Sequence, residues 1–332
     1  MSKNSKIVGV IIMTLITVVM VVVTYIKTTN SSDILRVGYM RIASHSPLIF
    51  AIENNIFEKY KLKVIAEYYP TTSDLIEALE QRKIDVAFQV TPDLAWMSAN
   101  KTKNDYYIYF VAQSTKDKPM DGFYAMKQIN GADLINQSIG HFPGLTGRYM
   151  TQEVLKRKFN LDPENYNLVD VNPSMQLNML TRGDIIALFT YEPAGTIAIK
   201  AYNAINIIPA PVEQYIINPW NGGIGIFSSD LVTYRKEVAV NFQKAIIESY
   251  NFLDTQLPEY TKALMDLQPG LTPEIAMQIP NIKLIFSTDM VQSELMRAAV
   301  AEQFKVYKDI GILNKDDSHY LKIFEPYEKY TN

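Results

Sequence analysis

No cysteine occurs anywhere in the 332 residues. That absence excludes a disulfide framework, a thiolate zinc site and a cysteine nucleophile. It also removes the residue that a lipid-anchored export signal would acylate, so any membrane attachment has to come from the polypeptide itself. Histidine is scarce at 3 residues and tryptophan scarcer at 2. An excess of one charge is lacking too: 32 Lys and Arg face 35 Asp and Glu, for a formal net charge of -3. The basic residues are scattered without a polybasic run, so nothing calls for a nucleic-acid partner.

What is present suits packed domains. Hydrophobic residues make up 48% and charged residues 20%, and the length allows two domains of ordinary size. One run stands apart: IVGVIIMTLITVVMVVVTYI, over residues 7–26, carries no charge. About twenty such residues cross a hydrocarbon core. Lys3 and Lys6 precede the run and only Lys27 follows closely, which places the N-terminus in the cytoplasm and the rest outside the cell. A cleavable signal is the alternative; its apolar stretch is shorter and ends at a small-x-small site. The ending TYIKTTNSSD offers no such site. The expectation is a single-pass anchor over 7–26, a spacer over 27–33 and an extracytoplasmic remainder at the cell membrane.

That remainder alternates strands and helices, the grammar of a parallel α/β sheet. Ile34–Tyr39 reads as a strand, and Pro47 opens a helix with apolar residues at helical spacing. A strand over Leu62–Tyr69, a helix over Thr72–Arg82 capped by Ser73, and a strand over Ile84–Val90 follow, before Thr91-Pro92 opens another helix. The pattern then recurs: a strand ending at Gly140, the Gly-rich loop His141–Gly147, a helix to Phe159, a strand over Tyr166–Val171, a helix over Ser174–Arg182, a strand over Ile185–Thr190, and a helix opened by Glu192-Pro193. Gly38 to Pro92 spans 54 positions and Gly140 to Pro193 spans 53, so the chain reads as two similar lobes. The first takes 34–115 and 226–332, the second 120–218. Hinges lie near 116–120 and 218–226, within the polar QSTKDKPMDGF and the Gly-rich INPWNGGIGI. The tail is read as helices over Val238–Leu253, Glu259–Leu267, Pro273–Ile279 and Val291–Ile310, the last stopped by Gly311.

The run RVGYMRIASHSPLIFAIENNIFEKYKLKVIAEYYPTTSDLIEALEQRKIDVAFQ resembles the start of the nitrate/sulfonate/taurine and thiamine-precursor class of ABC substrate-binding proteins, the SsuA/THI5-like (NMT1) family. GHFPGLTGRYM and TRGDIIALFTYEPA extend the likeness, which covers roughly Leu35–Asn221 well and the tail loosely. The resemblance implies a type II periplasmic-binding-protein fold: two lobes, two hinge crossings and a ligand enclosed between them. It implies a small-molecule ligand and an ABC permease with its ATPase as partners; the further expectations are no cofactor and a monomer.

Ligands of open parallel sheets sit beyond the carboxyl ends of the strands. That rule selects Arg41, Ser44, His45 and Ser46, then Gln89 and Thr91, in the first lobe. In the second it selects His141, Gly144, Thr146 and Arg148, then Tyr191 and Glu192; the return crossing adds Asn218, Trp220 and Asn221. The loop Pro143–Arg148 is either an anion site at a helix start or an ordinary tight turn. Where the family commonly has Gly-Ser, this chain has Gly144-Leu145. Glu192 suits a donor-rich ligand such as an aminopyrimidine or a protonated amine, or it pairs with Arg148, or caps the following helix. His45 and His141 are ligand donors, or with Glu192 a metal set that local spacing does not support; His319 is a surface residue. Trp220 and Tyr191 offer faces to a planar ligand, with Tyr68 and Tyr69 beside them if their strand end faces the cleft. The expected function is capture of a small polar organic molecule or oxyanion for import, without chemistry. The alternatives are a pyrimidine-precursor synthase, whose cysteine-rich motif is missing, and an extracellular sensor.

Overall fold

The computed structural model describes residues 34–102, 105–288, 290–313 and 324–326. The apolar run at 7–26, the spacer and His319 lie outside the described residues. Among the described residues no helix is long and apolar enough to cross a membrane.

The chain enters as β1 (Ile34–Tyr39), with Leu35 and Val37 fully buried. A 3-10 turn over Ala43–His45 leads into α1 (Ser46–Glu53), where Pro47 sits in the first turn and its missing N–H costs nothing. After α2 (Ile56–Lys59) and β2 (Lys63–Tyr68) comes α3 (Thr72–Glu80). Its cap is Thr71 and not Ser73: Asp74 N donates to Thr71 Oγ1 at 3.2 Å, and Thr71 N donates to Asp74 Oδ2 at 3.1 Å. This reciprocal box needs the acidic residue three positions on, which Thr71 has. β3 (Val86–Val90) is buried throughout, and α4 (Pro92–Thr102) leads to β4 (Tyr106–Ser114).

The second unit runs β5 (Asp121–Ala125), β6 (Ser138–His141), α5 (Leu145–Phe159), β7 (Asn167–Asp170), α6 (Gln176–Arg182), β8 (Ala187–Tyr191), α7 (Ala194–Tyr202), β9 (Ile205–Pro209) and α8 (Pro211–Tyr215). The chain returns in β10 (Trp220–Ser228), then α9 (Ser229–Tyr234), α10 (Lys236–Thr255), α11 (Leu257–Leu267), α12 (Pro273–Ala276), β11 (Lys283–Phe286), α13 (Met290–Asp309) and β12 (Phe324–Pro326).

Two sheets result. The larger has the order β11-β4-β10-β3-β1-β2 with β12 joined to β4, and the smaller β7-β6-β8-β5-β9. In each, three strands are parallel: β1 pairs with β2 and β3, and β6 with β7 and β8. The next strand, β10 or β5, is antiparallel. The sheets are therefore mixed, where strand–helix alternation predicts parallel ones. The antiparallel strands arrive directly from the other lobe, without a helical crossover, so the alternation rule does not govern them.

The segment INPWNGGIGI, expected as a hinge loop, becomes strand from Trp220 onward, between β3 and β4. A Cβ at Gly225 would stand 2.5 Å from the Phe110 ring, so glycine here makes room for an aromatic of the next strand. The chain between β4 and β5, and residues 217–219, form the two crossings. Tyr109 stacks on Phe227 at 4.2 Å, and Phe242 of α10 stacks on Phe57 at 5.6 Å. Gln243 Nε2 donates to Tyr109 O at 3.1 Å and to Ser287 Oγ at 3.0 Å. The tail helices thus close the back of the larger sheet, leaving the carboxyl ends of β1 and β3 facing those of β6 and β8.

Candidate functional site

The lobes touch through two hydrogen bonds at these strand ends. Ala43 N donates to Glu192 O at 3.0 Å, and Thr146 Oγ1 donates to Asp93 Oδ1 at 2.7 Å. Between these contacts lie two adjoining cavities, an inner slot of about 30 Å³ and an outer chamber of about 300 Å³. Met40, Ile42, Phe142 and Tyr191 line both.

The inner slot is aromatic on one side. The Tyr191 ring lies 4.9 Å from Phe142 and 5.9 Å from Trp220. Trp220 is 1% exposed, and its Nε1 has no hydrogen-bond partner. Met120, Leu94 and the hydroxyl residues Thr72, Thr91 and Thr146 complete much of the lining, with Gln89 beside them. Ser44 Oγ donates to Gln89 Oε1 at 2.6 Å, which fixes that amide. Among the residues lining the slot there is no lysine or arginine.

The outer chamber carries the charges. Arg41 lies over the Tyr68 ring at 4.5 Å, and both line the chamber with Glu192, Gln176 and Thr190. Thr190 Oγ1 donates to Gln176 Oε1 at 2.6 Å. Glu192 is buried, and burial pushes its carboxyl up to about 7, against the bond Thr196 N donates at 3.0 Å. Its side chain therefore caps α7. Arg148 does not reach it.

Of the residues selected by the strand-end rule and the return crossing, Arg41, Gln89, Thr91, Gly144, Thr146, Tyr191, Glu192 and Trp220 line a cavity. Ser44, His45, Ser46, His141, Arg148, Asn218 and Asn221 line neither. His45 is fully buried, its Nδ1 accepting from Met40 N at 3.0 Å, and burial pushes it down to about 3. His141 is buried too, with Nδ1 2.8 Å from Phe142 O, and burial lowers it. Asn221 joins Gln113 at 3.0 Å inside the larger sheet, while Asn218 is exposed. Among the described residues no three His, Cys, Asp or Glu side chains are grouped to hold a metal ion.

The helix start expected to bind anions already has a carboxylate over it. Gly144 N donates to Asp170 Oδ1 at 3.2 Å, and Arg148 Nη2 to Asp170 Oδ2 at 3.1 Å. Burial alone raises the Asp170 carboxyl, but these bonds and the neighbouring charges hold it below its usual value. A Cβ at Gly147 would collide with the Phe142 carbonyl, so that glycine permits the tight approach of loop and helix.

Three acidic residues escape the strand-end rule. Asp93, at the first turn of α4, is 0% exposed, and its Oδ2 has no well-aligned partner. Asp121 and Glu213 meet at the lobe crossing, where Ser114 Oγ donates to Glu213 Oε1 and Val212 N to Asp121 Oδ2 at 3.3 Å. Burial raises both carboxyls, and the charge of Glu213 raises Asp121 further. No local spacing advertises this pair, because β5 and α8 bring it together from distant parts of the chain.

Residues 29–265 match the NMT1-like family. Curated proteins offer no significant match. Similar solved structures include the alkanesulfonate-binding protein SsuA from Xanthomonas axonopodis pv. citri bound to MOPS, 16% identical with TM-score 0.67, covering 85% of this chain and 95% of that one. The nitrate-binding protein NrtA from Synechocystis PCC 6803 is 11% identical with TM-score 0.70, covering 90% and 87%. A zinc-bound ligand-binding component of an ABC-type import system from Staphylococcus aureus is 14% identical with TM-score 0.70, covering 90% and 98%. At such identities the likeness establishes the fold alone, the two-lobed periplasmic-binding-protein fold.

Proposed function

Because the chain belongs to the NMT1-like family, we propose that it is the solute-binding component of an ABC importer, enclosing a small polar organic molecule between its lobes. Residues 7–26 anchor it in the cell membrane, the lobes work outside the cytoplasm as a monomer, and the closed lobes engage a permease and its ATPase. The protein performs no chemistry on its ligand. Closure around a solute is a two-state hinge transition, and the two slender crossings suit it.

The observation that carries the ligand reading is the inner slot: Phe142, Tyr191 and Trp220 wall a space without a cation, and the Trp220 N–H lacks a partner. A flat ring with an acceptor edge, of the aminopyrimidine kind, satisfies that N–H and stacks on those faces. The outer chamber holds the bulk of the ligand, and the slot widens as the lobes part. A second reading, an oxyanion of the sulfonate or nitrate kind, is favoured by one observation: Gly144–Gly147, the start of α5, line the slot.

Native mass spectrometry of the purified full chain tests the assignment, with a thermal-shift panel of aminopyrimidines, taurine and nitrate beside it. A released, unaltered ring compound and stabilisation by aminopyrimidines are expected. Conversion of the bound molecule, or a failure of every solute to stabilise the protein, overturns the reading.

A further inference from the structure

Asp93 is a fully buried carboxylate whose side chain bridges the two lobes beside the inner slot. Its Oδ1 accepts the Thr146 hydroxyl at 2.7 Å, while Oδ2 has no well-aligned partner, with the Thr91 hydroxyl and the Leu94 amide beside the carboxyl. The buried hydroxyl of Tyr307 on α13 lies beside Thr146 and the buried Gln303 amide, without a well-aligned hydrogen bond to either. Burial holds the Asp93 carboxyl above its usual range, and no cation contributes to its shift. The titratable groups facing it are Tyr307 of α13 and Tyr191 of β8. Burial raises both phenols well above their ordinary value and the Asp93 charge raises them further, so they stay uncharged at neutral pH. Buried carboxylates elsewhere acquire partners or give up their charge. This one lies directly behind a side chain of the slot.

Thr146 lines the slot. A hydroxyl has one hydrogen and two lone pairs. With the hydrogen committed to Asp93, Thr146 shows the slot only lone pairs, polarised by the carboxylate behind them. A ligand N–H, above all a charged one, donates to that oxygen. An oxyanion meets lone pairs and a negative group, and enters only after Asp93 has taken a proton. We infer that Asp93, acting through the Thr146 hydroxyl, makes the cleft select ligands that present a positively charged hydrogen-bond donor. The inference rests on the reading of the cleft as a solute site. It makes Asp93 a positioning residue and Thr146 the group that touches ligand.

Benzamidine and benzenesulfonate test it, since they share a ring and differ in the sign of their charge. Calorimetric titration of the full chain near neutral pH is expected to favour benzamidine by about tenfold or more. The preference shrinks as pH falls and Asp93 is protonated. Asp93→Asn keeps the shape and an acceptor for Thr146, and is expected to lose most of the preference and its pH dependence. Thr146→Val loses the preference, and Thr146→Ser, which restores the hydroxyl, retains it; a melting curve for each variant checks folding. Equal or tighter binding of benzenesulfonate, or an unchanged preference in Asp93→Asn, overturns the role of Asp93 and leaves the cleft reading standing. Binding of neither probe, or binding that persists undiminished in Trp220→Ala, overturns the cleft reading as well.

Discussion

Asp93 and Glu192 occupy the same corner of the two lobes, each at the helix start that follows a lobe's third strand of the parallel set. Both are buried, and burial pushes both carboxyls up, Glu192 to about 7. Their partners differ. Glu192 accepts from Thr196 N of its own α7 at 3.0 Å and reaches the other lobe only through its backbone carbonyl. Asp93 reaches the other lobe with the side chain itself. When the lobes part, Glu192 keeps its amide and Asp93 loses its hydroxyl. One corner is therefore a helix cap that happens to line a chamber, and the other is a charge whose environment depends on closure.

The lobes differ again in how the chain leaves the first strand, and here the largest mutational effect is expected. The first lobe uses a 3-10 turn and enters α1 at Ser46, whose buried hydroxyl has no partner. The second enters α5 through Gly147, pressed against the Phe142 carbonyl. Gly147→Val forces backbone to move and should cost about 3 kcal/mol, near the upper end for overpacking. Ser46→Ala, at the matching helix entry, removes an unsatisfied hydroxyl and should stay within about 0.5 kcal/mol of wild type or gain slightly. Urea denaturation compares the two midpoints. A wild-type midpoint for Gly147→Val breaks the contrast.

Much of this frame can be read before folding, and the failures have physical causes. The parallel strands announce themselves because each alternates with a helix of apolar periodicity. β10 does not, since Gly222, Gly223 and Gly225 imitate a turn, and the groups that need their space are the Trp220 ring, the Gln89 side chain of β3 and the Phe110 ring of β4. The strand-end rule names the loops of Gln89, Thr146 and Tyr191, and the return crossing that of Trp220. It cannot say which side of a loop faces the cleft, so Ser44, His45, Ser46 and His141 fell inward. Met40, Ile42 and Phe142 carry no chemistry of their own and gave no signal, although they form the wall. Asp93 looks like any acidic residue in a helix's first turn. Only the approach of Thr146 from the other lobe makes it more.

The two buried histidines sharpen the comparison at intermediate magnitude. In the fold His45 is neutral, at about 3, whereas the unfolded chain protonates it near 6.5. The unfolded state then binds more protons below that value, so stability falls as pH drops through 6.5 toward 3. Between pH 6.5 and 5 this amounts to about 2 kcal/mol. His141 is also lowered by burial, but Asp170 at 3.7 Å opposes the shift, so its acid loss is smaller. His45→Gln should flatten the acid limb of a stability–pH curve more than His141→Gln does. Glu192 behaves oppositely. It binds its proton more tightly folded than unfolded, so stability declines as pH rises from about 4.5 to about 7 and is level above, and Glu192→Gln should remove that decline. Equal acid limbs in the two histidine variants would mean that the first lobe is no better sealed than the second.

The smallest effect on stability bears on the anion reading. Arg148 and Asp170 are 40% and 49% exposed at the side chain, and a pair so open to water contributes about 0.5 kcal/mol or less. Arg148→Ala should therefore leave the urea midpoint almost unmoved. Asp170→Asn should change stability little as well, yet it takes a negative charge off the start of α5. If that helix start is an anion site masked by the protein's own carboxylate, nitrate or taurine will raise the melting temperature of Asp170→Asn and not of wild type. If neither protein responds, the turn at Gly144 serves packing alone. If both respond, Asp170 masks nothing, and the exclusion of oxyanions by Asp93 through Thr146 of the same helix start fails with it.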